Sequence, residues 1–180
     1  MKIDPYNNKA RYTAWRESVR NGIPGITREN SEIALAYLDD MLLGTNIAQK
    51  SVKGARSYSR LQGLRDKMCF FSRHFAEHYN LARITDITEN QLIIFFAEMK
   101  NGVMKTQKGE TYKSVDTFVR DFKSFWHWWI KINRKQGKLI EDITIDLDTR
   151  KDKPDWVYLT EEEVRKLAEN AKYKYKVLIM

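Results

Sequence analysis

The stretch from Thr111 to Gln136 constrains the fold most, because its apolar residues recur at helical spacing on two neighbouring faces. The first face, with steps of three and four residues, consists of Val115, Val119, Phe122, Trp126 and Trp129. The second consists of Phe118, Phe125, Trp128 and Ile132. A helix that is apolar over so wide an arc must pack on more than one side. The stretch therefore predicts the central helix of a helical bundle.

The remaining arc of this helix is basic and polar, and its side chains line up along one edge. They are Lys113, Thr117, Arg120, Lys123, His127, Lys131 and Arg134. A second basic zone lies between Asp40 and Asp66, where no acidic residue occurs. It contains Lys50, Lys53, Arg56, Arg60 and Arg65. With a net charge of +8, the two zones favour a nucleic-acid partner or an acidic membrane surface.

Membrane partners are the weaker of these two alternatives. The apolar helix faces are committed to a core, and no apolar run approaches the roughly 20 residues that a membrane span needs. The single cysteine, Cys69, excludes a disulfide framework and favours a reducing cytoplasm. Because Cys69 lies inside an apolar helical pattern, we expect an inert, buried thiol.

Helix start and stop signals elsewhere predict an all-α fold, a small bundle of four to five helices. A short helix is expected around Lys9 to Arg20. Thr27 is a candidate N-cap for the next helix, whose expected inner face is Leu35, Leu38 and Leu42 and which ends at Gly44. The next helix is predicted over 55–79, and its core face is Leu61, Leu64, Met68, Phe71 and Phe75. Thr88 and Gln91 form a capping-box pattern for a further helix, which has Leu92, Phe96 and Met99 facing inward and ends at Asn101-Gly102.

The last part of the chain has a different composition. Residues 138–157 alternate in polarity, are highly charged and contain Pro154, which indicates an extended linker. Thr160 and Glu163 form a second capping-box pattern. An apolar segment begins at Val177, so we expect the chain to be a piece of a longer protein. The predicted organisation is a lead-in (1–26), a helical domain (27–137), a linker (138–157) and the start of a truncated second domain (158–180).

Two residue clusters suggest chemistry but favour structural roles. His74, Glu77 and His78 match the H-x-x-E-H pattern of a zinc-protease class, yet they lie on a helix that Phe71 and Phe75 assign to the core. Aromatic residues on the 111–136 stretch can stack on bases, yet their helical spacing favours core packing. We therefore predict no metal site here, and the sequence has no glycine-rich phosphate-binding loop, no CxxC pair and no nucleophile elbow.

Three segments, residues 86–96, 114–128 and 157–167, together resemble the tyrosine recombinase (phage-integrase) family, and the resemblance covers nearly the whole chain. Residues 86–92 followed by Phe95-Phe96 are similar to the family's third-helix signature, and residues 114–128 to its fourth. Residues 157–167 are similar to the segment that opens the family's catalytic domain. Together with the lead-in, the pattern looks most like integrases of archaea and their mobile elements.

The resemblance implies a SAM-like core-binding domain that clamps duplex DNA for integration and recombination, with no cofactor. In the family, the second and fourth helices of this domain face the DNA groove, and both basic zones fall on those helices. The expected DNA contacts are Lys53, Arg56, Arg60, Lys113, Thr117, Arg120 and Lys123. The family's catalytic arginines, lysine, histidines and nucleophilic tyrosine have no counterpart here, and Tyr173 and Tyr175 lie in the wrong segment. The resemblance implies that the parent breaks and rejoins DNA and self-associates on it, while this chain only binds.

Two alternatives remain open from the sequence. One is a helical nucleic-acid-binding regulator that has no enzymatic parent. The other is a protein-interaction bundle whose basic faces meet an acidic partner. Judged by charge alone, a DNA-binding face and two merely solvated helix faces are equally compatible with the pattern.

Overall fold

The computed structural model describes residues 4–47, 53–150 and 158–171, and all regular structure in these ranges is helical. The helices are α1 (Asn8–Ser18), α2 (Arg28–Leu43), α3 (Tyr58–Tyr79), α4 (Glu89–Lys100), α5 (Val115–Lys135) and α6 (Glu161–Asn170), with a short 3-10 turn at Ile84–Asp86. The chain divides into two compact units, Met1–Arg150 and Lys151–Met180. The predicted all-α class is confirmed.

Local sequence signals set the helix ends as predicted. The Thr27 hydroxyl accepts a hydrogen bond from the backbone N–H of Asn30 at the start of α2. Thr88 and Gln91 form a reciprocal capping box at the start of α4. Gly44 ends α2 in the left-handed conformation, with φ of 75°. These ends depend on contacts within a few residues, which is why the sequence predicts them.

The core of the first unit lies where α3 packs against α1, α2 and α5, and where α5 packs in turn against α4. On α3, the predicted inner residues are all buried: Leu61, Leu64, Met68, Phe71 and Phe75. On α5, Phe122 is fully buried and meets Phe71 edge-on, with ring centroids 5.1 Å apart. A second side of α5 packs against α2, where Phe125 meets Tyr37 edge-on at 5.5 Å. The wide apolar arc is therefore filled from several sides, as predicted.

The inner face of α2 differs from the prediction. Its buried apolar residues are Ala34, Tyr37, Leu38 and Met41, whereas Leu35 and Leu42 are only partly buried. Tyr37 determines this orientation, because its ring packs on Phe125 and Trp128 and its hydroxyl donates to Ser124 Oγ at 3.1 Å. The prediction considered only the leucines of α2 and therefore selected the neighbouring face of the helix.

Residues 4–26 pack into the first compact unit rather than forming a separate lead-in. Helix α1 packs against α3, and Tyr12, Val19 and Ile23 are buried. Arg16 of α1 also forms an ion pair with Asp39 of α2, at 2.9 Å. The compact unit therefore begins before the predicted domain boundary at residue 27.

Residues 138–150 do not form the predicted extended linker. They turn back onto α5, where Trp126 Nε1 donates to the Glu141 carbonyl at 2.9 Å. Thr144 is fully buried and Leu147 is nearly so. The alternating polarity instead belongs to a turn that buries Thr144 and Leu147 against the core. Residues 151–157 of the predicted linker lie outside the described ranges.

In the second unit, α6 begins at the predicted capping box. The Thr160 hydroxyl accepts from the Glu163 backbone N–H, and the Glu163 carboxylate accepts from the Thr160 backbone N–H. No residue of α6 is buried. The expectations for Tyr173, Tyr175 and the segment from Val177 fall outside the described residues.

Candidate nucleic-acid interface

The clearest link between the two basic zones is the pair formed by Arg60 of α3 and Asp121 of α5. Arg60 Nη1 donates to one carboxylate oxygen at 3.3 Å, and Nη2 makes a closer contact to the other. The Asp121 side chain is 8% exposed, whereas that of Arg60 is 46% exposed. A buried carboxylate needs a cationic partner, so Asp121 holds the guanidinium where α3 and α5 pack together, while the outer part of Arg60 stays open to solvent.

Arg56 lies two residues before the start of α3 and four residues before Arg60. Its backbone N–H donates to the Met41 carbonyl at 2.9 Å, which ties the start of α3 to the end of α2. Burial raises the pKa of Tyr37 to about 12, and the nearby charges of Arg60 and Arg56 oppose that shift. Arg56, Arg60 and the Tyr37 phenol therefore lie within electrostatic reach of one another.

A second junction lies at the backbone carbonyl of Ile47. This oxygen accepts a hydrogen bond from Lys131 Nζ of α5 at 2.7 Å and from Lys53 Nζ at 3.4 Å. Lys135 Nζ also donates to Asn46 Oδ1, at 2.6 Å. The loop after α2 and the C-terminal half of α5 therefore carry their cations on one shared surface.

The N-terminal half of α5 carries the other predicted contacts. Lys113 is exposed just before the helix. The Thr117 hydroxyl donates to the Ser114 carbonyl at 2.8 Å, which leaves its oxygen available as an acceptor. Arg120 forms an ion pair with Asp116, one helical turn earlier. Lys123 Nζ donates to the Ile145 carbonyl at 3.4 Å.

The structure thus places the predicted residues on adjoining parts of α3, α5 and the loop that precedes α3. It also shows that two of them are paired with carboxylates, which the sequence prediction did not consider. Arg60 and Arg120 are each paired with a carboxylate of α5. The Asp116–Arg120 pair was visible in the sequence, because a spacing of four residues places both side chains on one helix face. The Arg60–Asp121 pair was not visible, because it joins residues 61 positions apart.

Lys67 of α3 is a further cation of this surface that the sequence did not single out. Its side chain is half-buried, and Nζ lies 2.7 Å from the centroid of the Phe118 ring. Burial lowers the pKa of Lys67 to about 8, although the Asp121 charge opposes that shift. The available signal was its position seven residues after Arg60, which places both on one edge of α3.

His74, the first residue of the H-x-x-E-H pattern, has a structural role. His74 Nδ1 lies 2.9 Å from the Phe70 carbonyl, and its ring packs against the Phe70 ring at a tilt of 37°, with centroids 4.1 Å apart. His78 is exposed. Within the described ranges, no three His, Cys, Asp or Glu side chains are grouped so as to hold a metal ion.

The aromatic residues of α5 and the cysteine also belong to the core. Trp126 and Trp128 are buried, and Trp128 Nε1 donates to Asp40 Oδ2 at 2.7 Å. Trp129 is only partly buried. Cys69 is buried, and burial raises the pKa of its thiol. The two buried tryptophans therefore cannot stack on bases without unfolding the core.

Comparisons with known proteins found no matching family model, no matching curated protein and no matching solved structure. Among the helices that the structure describes, none combines the length and apolarity required to cross a membrane.

Proposed function

We propose that this chain binds duplex DNA through the surface formed by α3, α5 and the loop after α2, as the DNA-binding portion of a site-specific tyrosine recombinase. The observation that carries the binding proposal is the convergence of two basic zones that are far apart in sequence. They meet at the Ile47 carbonyl, through Lys53 and Lys131, and at the Arg60–Asp121 pair. The recombinase assignment rests on the motif resemblance.

Binding on this surface is expected to be mainly electrostatic. Lysine and arginine side chains neutralise phosphates and release condensed counterions, which gives affinity without sequence information. The half-exposed Arg60 guanidinium keeps donors directed outward while Asp121 limits its movement. A pre-positioned arginine loses less side-chain freedom on binding than a mobile one.

We assign one edge of α5 to the major groove of the DNA. This edge is formed by Lys113, Thr117, Arg120 and Lys123. An α-helix fits the major groove of B-form DNA, and hydroxyl and guanidinium groups on such an edge reach base edges or flanking phosphates. The apolar side of the same helix is held by the core, so the edge is presented on a rigid element. We assign binding, and no cleavage step, to the described residues.

The test is duplex-DNA binding by fluorescence anisotropy over a series of salt concentrations. The test variant K113Q/R120Q/K123Q removes three cations from the α5 edge. Its matched control, R20Q/R28Q/R83Q, removes three arginines that pair with nearby acids on other surfaces. Both variants change the net charge equally, so they separate the location of charge from its amount.

We expect log K to fall with log salt by about 0.9 for each phosphate neutralised. The test variant should bind more weakly and with a shallower salt slope, while the control should resemble the wild type. Equal losses in both variants would contradict the assignment of the face. Absence of duplex binding at low salt would refute DNA binding and favour a protein partner for the basic surface.

A further inference from the structure

Lys67 lies in a notch between α3 and α5 in which both nearby acids are already paired with arginines. The Phe118 ring of α5 covers one side of its ammonium group. The charged groups that face it are Arg60 and Asp66 on its own helix and Asp121 on α5. These groups define the notch.

Both carboxylates of the notch are already engaged by arginines. Asp121 accepts from both terminal nitrogens of Arg60, and Asp66 pairs with its neighbour Arg65 at 2.7 Å. Among the residues that the structure describes, Lys67 forms no ion pair. Both acids near Lys67 therefore already have an arginine partner, whereas Lys67 has no anionic partner of its own in the described part of the chain; Arg65 itself lies against the Trp15 ring of α1.

An ammonium group retains up to three donors, and a ring face satisfies none of them fully. A phosphate at the mouth of the notch would accept from Lys67 and from the outer side of the half-exposed Arg60 guanidinium at the same time. It would also give the Lys67 ammonium group an anionic partner, which it lacks among the described residues.

We propose that the notch between Lys67 and Arg60 is a phosphate-binding site for the DNA backbone, and that it takes up a proton on Lys67 when it fills. This inference rests on the proposed function, because it names one contact within the same binding surface. Lys67 would act as a proton-linked contact beside the permanently charged arginine.

The pH dependence follows from the state of the amine before binding. With a pKa of about 8, Lys67 is mostly protonated at pH 7 and mostly neutral at pH 9. A bound phosphate favours the charged form and raises the pKa. Affinity should therefore fall by about tenfold between pH 7 and pH 9, because the protonated fraction falls by that factor.

The experiment measures duplex binding by anisotropy from pH 6.5 to 9.5 at fixed ionic strength, for wild type, K67R and K9R. Arginine stays charged over this range, so K67R should bind with nearly constant affinity. K9R is the matched control, because Lys9 is an exposed lysine of α1 outside the proposed binding surface, and it should keep the wild-type pH dependence. Circular dichroism of each variant checks that the fold is retained.

A second measurement uses the wild-type protein alone. The lysine ε-carbon shifts, followed by NMR over the same pH range, give the Lys67 pKa directly, and the K67R spectrum assigns the signal. We expect a value near 8 without DNA and a higher value with a short duplex present.

The outcomes distinguish the two proposals. DNA binding that is independent of pH, or a pH dependence that K67R retains, would overturn the proton-linked site and leave DNA binding intact. An ordinary lysine pKa for Lys67 in the free protein would also overturn it. Absence of duplex binding at pH 6.5 would overturn both proposals.

Discussion

Replacing Asp40 with alanine should destabilise the first unit far more than the same change at its neighbour Asp39. Asp40 accepts hydrogen bonds from Trp128 Nε1 at 2.7 Å, Thr45 Oγ1 at 2.6 Å and Asn46 Nδ2 at 2.7 Å. Burial disfavours ionisation of Asp40, but these three hydrogen bonds outweigh it and hold its pKa below the ordinary value. Asp40 therefore joins α2, α5 and the loop that carries Ile47.

The size of the loss in stability depends on whether each hydrogen-bond donor can bind water once the carboxylate is removed. The Trp128 side chain is buried, so its N–H would be left without a partner, which costs about 1–3 kcal/mol. The donors of Thr45 and Asn46 reach water more easily, so each loss contributes only about 0.5 kcal/mol. We expect D40A to lower the free energy of unfolding by about 2–4 kcal/mol.

D39A is the matched control on the same helix. Asp39 pairs with Arg16 across a partly exposed surface, an interaction worth below about 1 kcal/mol. Both substitutions make nearly the same change in helix propensity and in charge near the end of α2, so their difference isolates the hydrogen bonds.

The assay is urea unfolding at pH 7, followed by tryptophan fluorescence and by circular dichroism. A D40A loss within about 0.5 kcal/mol of the D39A loss would refute the reasoning, because it would mean that the Trp128 N–H finds another partner. Because the pKa of Asp40 is lowered on folding, its contribution is present above the unfolded-state pKa and disappears as pH falls through the folded-state value.

Three further predictions concern tyrosines and a glycine. Within the described part of the chain, the buried Tyr12 hydroxyl has no hydrogen-bond partner, so Y12F should be neutral or stabilising in urea unfolding, whereas Y37F should lose about 1 kcal/mol with its bond to Ser124; equal effects would contradict this. Burial raises the pKa of both tyrosines to about 12. The stability that these two tyrosines contribute is therefore complete below about pH 10 and declines as the pH rises toward 12. Thermal melts from pH 9.5 to 11.5 would detect this decline, and Y12F and Y37F should each make it smaller. In G44A, the new Cβ would lie 2.5 Å from backbone atoms at a residue with positive φ. The melting temperature should therefore fall much further in G44A than in G109A, because Gly109 also has positive φ but has open space around it. Similar falls in the two variants would refute the close approach at Gly44.

Local signals in the sequence predicted the elements of this fold because each depends on neighbours within one or two helical turns. The caps at Thr27, Thr88 and Thr160 need only a hydroxyl and the following backbone N–H groups. The core face of α3 follows from helical spacing alone. The aromatic arc of α5 was also sufficient to predict packing on several sides.

The orientation of α2 and the extent of the compact unit were predicted less well. Apolar spacing on α2 fitted two neighbouring faces, and the contact of Tyr37 with α5 selected between them. The burial of α1 and of the turn at Thr144 depends on partners far away in sequence. The sequence around Thr144 indicates a linker because its charged composition can be read directly, whereas the distant residues against which this segment packs cannot.

For the candidate site, the sequence by itself determined that two cationic zones exist and that one of them follows a helix edge. Only the tertiary structure decided that the zones share a surface, that Asp121 holds Arg60, and that Lys67 is half-buried against Phe118. The reason is physical. Charge belongs to each residue alone, whereas desolvation and ion pairing depend on which groups the folded chain brings within a few ångströms.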